Sequence, residues 1–302
     1  MNSKGKNKIY SAWEVLKGTI RLFWRQDTST LASSLSYYTI FAIAPVIIIV
    51  IAIAGLILGP QAVQGEISNQ IQGVLGAKSA AMVEGMIKAA YRPGQNVPAA
   101  IIAVTVLIIG AIAVFGQLRT SLNTIWEVKE QGKKPVLQFI LTRLFSFAMV
   151  VTLAFLLLIS LAIHTGLEAF SNYLQRRLPD ISILLFQSMN LVFSIGLTWL
   201  LFALIYKFLS DAHLKWRSVW WGALFTAVLF SVGKFLIGLY LGHSDVADTY
   251  GAAGSVVVIL IWVFYSSQIL FFGAEFTRAL AEYRGDELNT PIQPASRSVN
   301  KK

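Results

Sequence analysis

Residues Tyr250 to Arg278 run YGAAGSVVVILIWVFYSSQILFFGAEFTR, and everything else in the chain is best understood outward from them. A helix needs about 20 mostly apolar residues to cross the hydrocarbon layer of a bilayer, and this segment exceeds that length. The small residues of its GAAG entry suit close packing of helices and not a strand of a soluble sheet. The apolar run is broken by Ser266, Ser267 and Gln268 near mid-depth and by Glu275 near the far end. Polar groups at such depths must turn toward other protein or trapped water. Tyr265, Gln268 and Glu275 follow one another by three and seven positions, so at about 3.6 residues per turn they share one stripe. That stripe is predicted to face the interior of a bundle.

The rest of the chain agrees with a membrane class. Of 302 residues, 56% are hydrophobic and only 13% are charged, against roughly one quarter charged in soluble domains. There is no cysteine, which excludes disulfides, thiolate nucleophiles and cysteine metal sites. The pattern predicts an all-α polytopic membrane protein with six transmembrane helices, at about 31–58, 97–118, 137–163, 181–206, 218–241 and 251–277. The first apolar run begins too late and runs too long for the h-region of a signal peptide, so it is expected to remain as an anchor.

Residues 1–30 read as a cytoplasmic basic tail followed by an amphipathic helix. Trp13, Leu16, Ile20 and Phe23 line one face of it, and Lys17, Arg21 and Arg25 a neighbouring one. It would lie on the membrane surface or pack under the bundle. Asp27, Thr28, Ser29 and Thr30 offer caps for the next helix. Within the first span Pro45 predicts a kink, and Tyr37 and Tyr38 either line a cavity beside it or simply pack. Residues 61–96 form an amphipathic excursion on the outer side, in which Ile67 and Ile71 share one stripe and Met82 and Met86 another. Residues 281–302 are polar and expected to be disordered.

Six spans put both termini on one side. On that side fall 19 lysines and arginines, against 5 on the other, with Lys234 alone inside a span. The positive-inside bias therefore predicts cytoplasmic termini. It also accounts for the net charge of +10 without nucleic acid as a partner.

Several buried polar residues are candidate sites. An ammonium at the centre of a span costs about 3 kcal/mol on insertion scales unless it is compensated. Lys234 could snorkel outward to Asp245 or Asp248, or face a cavity that takes a phosphate or carboxylate head group. Glu275 falls near the inner interface, where Arg119, Arg143 and Arg278 are its candidate partners in an ion pair tying spans 2, 3 and 6. A proton-coupled or head-group role is the alternative. Gln268 and Asn190 suit interhelical hydrogen bonds first and ligands second. The sequence holds no HxH, DxD or HExxH spacing, and His164 and His243 fall on the opposite side of the bilayer from His213. No catalytic residue, metal or cofactor is expected.

Three segments carry a resemblance: LASSLSYYTIFAIAP in span 1, LNTIWEV after span 2, and YKFLSDAHLKWRSVWWGALFTAVLFSVGKFLIGLYL continuing into the opening stretch. Together they resemble the YihY/BrkB family of bacterial inner-membrane proteins over about residues 13–284. The resemblance implies a six-span, multi-pass inner-membrane protein. Members have been labelled virulence or serum-resistance factors and also ribonuclease BN, and some are suspected of moving lipids or lipopolysaccharide precursors. A metal-dependent nuclease would need convergent acids or histidines near a basic cytoplasmic surface, and this sequence does not supply them.

The expectation is therefore a transporter or flippase of an amphiphilic, anionic envelope substrate, a lipid or lipopolysaccharide precursor. Lys234, Gln268 and Glu275 would be polar stations at outer, middle and inner depth, with Tyr265 and Asn190 beside them. A non-catalytic scaffold in an envelope or lipid-trafficking assembly is the alternative. Membrane lipids are the expected partners, and a homo-oligomer stays open.

Overall fold

The computed structural model describes residues 3–58, 64–65, 67–69, 71–72, 77–90, 110, 113–128, 179–212, 214–243, 250 and 253–286. Among these residues the protein is all helical. Helix α1 covers Ser3–Arg25, α2 Thr28–Leu58, α3 Ala77–Ala90, α4 residues 113–125, α5 Pro179–Leu204, α6 Trp216–His243 and α7 Gly254–Tyr283. Among the described residues three segments are long and apolar enough to cross a membrane, namely Leu191–Leu209, Trp216–Tyr240 and Gly254–Tyr283. They correspond to the fourth, fifth and sixth expected spans. The first expected span lies within α2, which continues as helix through Pro45. Most of the second and all of the third lie outside the described residues.

α7 is the hub, packing against α6, α2, α1 and α3. Hydrophobic burial does not drive helices together within lipid, so close approach must do it. Small residues allow that approach. A Cβ built on Gly222 would collide with Thr277, and one built on Gly273 would collide with both Thr226 and the Tyr206 hydroxyl. Ala223, Ala227 and Ala274 are fully buried around the same contacts. The pairings 222 with 277 and 226 with 273 run in opposite order, so α6 and α7 are antiparallel.

α2 is also antiparallel to α7. Thr28 meets Glu275 at one end of the pair, and eight residues later Ser36 Oγ donates to the Leu260 carbonyl at 2.9 Å. α1 follows the same direction. Gly18 sits against Ala279, while the Phe23 ring meets Phe272 edge-on at 5.6 Å. The first helix thus runs alongside the C-terminal half of α7 and is not laid flat beneath it. Val15, Thr19 and Leu22 make its buried stripe, against Phe276, Ala279 and Leu280. Of the face read from sequence, Trp13 and Ile20 are exposed instead, and Trp24 beside them is 79% exposed. The helix begins at Ser3, so the expected basic tail is largely helical.

Between α1 and α2 the chain turns at Gln26 and Asp27, with Asp27 at φ +49°. A left-handed conformation is uncommon outside glycine, and aspartate is among the residues that tolerate it best. α5 ends in a π-helical turn, Ile205–Leu209, which places Tyr206 fully inside the bundle. α3 covers the opposite end of α7, where Val83 packs with Ile259 and Val263. The buried stripe of α3 is Ser79, Ala80 and Val83, with Met82 half-buried beside it. Lys17, Arg21, Arg25, Arg119, Lys207, Lys215, Arg217, Arg278 and Arg284 all gather at the end where α1 and the close of α7 lie, called the basic end below.

Candidate functional site

Above the basic end, the seam between α2 and α7 carries polar groups that apolar neighbours enclose. Thr28, the first residue of α2, is fully buried, and its hydroxyl donates to Glu275 Oε1 at 2.5 Å. Glu275 is itself 0% exposed, and its Oε2 has no hydrogen-bond partner. Two turns along α7, Gln268 Nε2 donates to Ser29 Oγ at 3.0 Å while Gln268 Oε1 is buried without a partner. Neighbouring residues of α2 therefore serve two α7 side chains, and each of these keeps one orphan oxygen.

The outward face of α2 continues this polarity. Ser29, Thr30, Ser33, Tyr37 and Tyr38 are exposed and Ser34 is half-exposed, so residues three and four apart line up hydroxyls for more than two turns. Ser33 and Ser34 donate to the carbonyls of Ser29 and Thr30, both at 2.9 Å, which leaves their oxygens free to accept. The two tyrosines and Phe41 form an edge-to-face aromatic run above them.

A latch lies below the seam. Glu127, also left-handed at φ +49°, pairs with Arg25 of α1 at 2.5 Å and with Arg278 of α7 at 3.1 Å. The hydrogen bond from Arg278 holds the Glu127 carboxyl below its ordinary range. Partial burial opposes this, and the charges of Arg278 and Arg25 reinforce it. Gln26 Nε2 and Arg278 Nη1 both donate to the Ile125 carbonyl, at 3.1 and 2.6 Å. The Trp126 indole donates to the Ala274 carbonyl at 3.0 Å.

The other side of α4 is tied down as firmly. Arg119 grips Asp211 at 2.7 Å, and Asn123 donates to Asp211 while accepting from Ser210 Oγ and the Asp211 amide. The LNTIWEV segment is thus a junction in which Asn123, Trp126 and Glu127 each hold a different part of the chain.

Two sequence expectations change here. Glu275 makes no ion pair among the described residues. Arg119 reaches across to Asp211, and Arg278, one turn nearer the basic end, points to Glu127, Glu282 and the Ile125 carbonyl. Arg143 lies outside the described residues. The common stripe on α7 divides as well: the half-buried Tyr265 has its hydroxyl beside Gly233 of α6, whereas Gln268 and Glu275 face α2.

Lys234 stands on the exposed flank of α6 with Val232, Phe235 and Leu236. Its neighbour Gly233 is level with Tyr265 and Ile269, near the middle of α7. Among the described residues nothing joins it to Gln268 or Glu275. Asp245 and Asp248 lie outside the described residues, as does the side chain of Asn190. Sequence reading passed over Thr28, Asn123, Glu127 and Asp211 as site residues. The signal for Asn123 and Glu127 was their spacing of one helical turn in a segment followed by a basic loop.

A family model described as virulence factor BrkB matches residues 19–298. A "UPF0761 membrane protein" of Verminephrobacter eiseniae is 30% identical over 285 residues, covering 89% of this chain and 62% of its own length. Proteins of the same description from Glaesserella parasuis and Haemophilus influenzae are 25% and 23% identical. The first covers 64% of this chain and 66% of its own length, the second 88% and 96%. The chain thus spans less than two thirds of the length of the first of these relatives. No solved structure matches.

Proposed function

The chain belongs to the virulence factor BrkB family and is an integral membrane protein, and from that premise we propose that it moves an amphiphilic, anionic envelope lipid or lipid precursor between leaflets of the inner membrane. The observation that carries this reading is the exposed hydroxyl face of α2, Ser29, Thr30, Ser33, Tyr37 and Tyr38, on a helix that packs in register with a membrane-crossing neighbour. A span that only anchors a protein presents apolar residues to lipid, because exposed hydroxyls there lack water. A row of them can solvate a head group while its acyl chains stay in the bilayer. Gln268 and Glu275 border that row from α7. Lys234, on another flank, is left out of the route. The preference for an anionic head group draws on the excess of lysine and arginine at the basic end, which the charge bias assigns to the cytoplasm together with both termini.

The test is movement of a fluorescent anionic lipid between the leaflets of vesicles containing the full chain. At about 1 kcal/mol per hydrogen bond, losing the Ser33 and Tyr37 hydroxyls in a Ser33→Ala, Tyr37→Phe double variant should slow transfer by about 30-fold. Lys234→Met should leave the rate unchanged. A wild-type chain that moves no lipid would shift the reading to a scaffold in an envelope or lipid-trafficking assembly.

A further inference from the structure

The buried carboxyl of Glu275 has a chemistry of its own, independent of whether lipid moves. Among the described residues no cation pairs with it, and Arg278, whose charge is close enough to act on it, is engaged elsewhere. On α7, Arg278 is turned to Glu127, Glu282 and the Ile125 carbonyl. On α1, Arg25 pairs with Glu127, and at the elbow Asp27 accepts from Thr30. On α4, Arg119 holds Asp211. On α5, the Tyr206 hydroxyl donates to the Leu270 carbonyl and Lys207 to the Leu214 carbonyl. The α6 residues that meet this part of α7, Gly222 and Thr226, are uncharged.

An ionised carboxylate in such a place, with one hydroxyl donor and an orphan oxygen, costs several kcal/mol. A metal cation needs several oxygens around it, and among the described residues Glu275 has one hydroxyl and its own carboxyl. A proton needs a single acceptor. We propose that Glu275 is a proton-binding site: its carboxyl holds a proton in the closed arrangement of α2 on α7 and releases it when water reaches Oε2. The access route is marked by two further groups. Ser29 is exposed and adjoins Thr28 in the chain, and Gln268 above it offers the second unpartnered oxygen, so water entering at Ser29 finds an acceptor on each side.

Infrared difference spectra of the full chain in lipid nanodiscs, recorded between neutral and alkaline pH, test this directly. The carbonyl stretch of a protonated carboxylic acid should be present at neutral pH. Above the midpoint it should fall about tenfold for each pH unit. Glu275→Gln should remove it, and Thr28→Val should move its frequency by stripping the hydrogen bond, a second readout if the glutamine variant does not fold. Absence of the band in the wild type at neutral pH overturns the proposal. So does a band that Glu275→Gln and Thr28→Val both leave untouched, or one that answers to sodium at fixed pH. The readout is spectroscopic, so a chain that moves no lipid still shows the band, and the two proposals fail separately.

Discussion

Replacing Gly273 with alanine tests the packing on which the seam depends. A methyl at this position enters the space of the Thr226 side chain and of the Tyr206 hydroxyl. That hydroxyl is 2.7 Å from the Leu270 carbonyl and 3.0 Å from Thr226 Oγ1, and Tyr206 is fully buried. To admit the methyl, Tyr206 must withdraw and give up both bonds, or α6 must move off α7. Two hydrogen bonds within a membrane bundle are worth about 0.6 to 1 kcal/mol each. Overpacking a tight contact adds about 1–3 kcal/mol. The expected loss is therefore about 2–5 kcal/mol, read from reversible unfolding in mixed micelles titrated with denaturing detergent and followed by tryptophan fluorescence. Thr226→Ala combined with Gly273→Ala removes the hydroxyl that comes nearest the methyl, while Thr226 Cβ and the Tyr206 hydroxyl stay in its way, and should recover part of the loss, a coupling that a double-mutant cycle isolates. If Gly273→Ala alone unfolds within about 0.5 kcal/mol of the wild type, the close approach of α5, α6 and α7 is wrong.

Arg278→Lys keeps the charge but loses the fork that reaches Glu127, Glu282 and the Ile125 carbonyl at once, and should cost about 2–4 kcal/mol in the same assay. Asn123→Ala strips donors and acceptors from Asp211 and Ser210 and should cost about 1–3 kcal/mol. Because Glu127 is held below its ordinary value of 4.5, its contribution is complete above that value and is lost as pH falls through the lowered one. Glu127→Gln should accordingly flatten the acid limb of a stability-against-pH curve measured below about pH 5. A limb of unchanged steepness would show that the latch does not titrate there.

The helical architecture could be read because a long apolar run has few alternatives in a bilayer, and α2, α5, α6 and α7 fall where hydropathy sets them. What escaped was direction around the helix axis. Glu275 and Arg278 are three residues apart, close enough in sequence to suggest a shared ion-pair network, yet one faces α2 and the other faces the α4 junction. Lys234 illustrates the same limit: its place within α6 was visible, but neither its level against α7 nor which flank of α6 carried it. Thr28 was noticed as a cap, a role that propensity explains, and its bond to Glu275 depends on a contact between residues 247 positions apart. Asn123 and Glu127 belonged to a segment distinctive enough to support the family resemblance, although nothing local reveals that Asp211 and Arg278 are what they hold.

That long separation sets a schedule for biogenesis. At translation rates of about 5–20 residues per second, Thr28 leaves the ribosome roughly 12 to 50 s before Glu275 exists to meet it. Throughout that interval the opening helix has no α7 to lie against, and its Val15, Thr19 and Leu22 stripe is left to the insertion machinery or to bare lipid. Clasping α1 and α2 with α7 makes synthesis of α7 the event that closes the seam, and a chain interrupted before it reaches α7 leaves both the seam and the latch unmade.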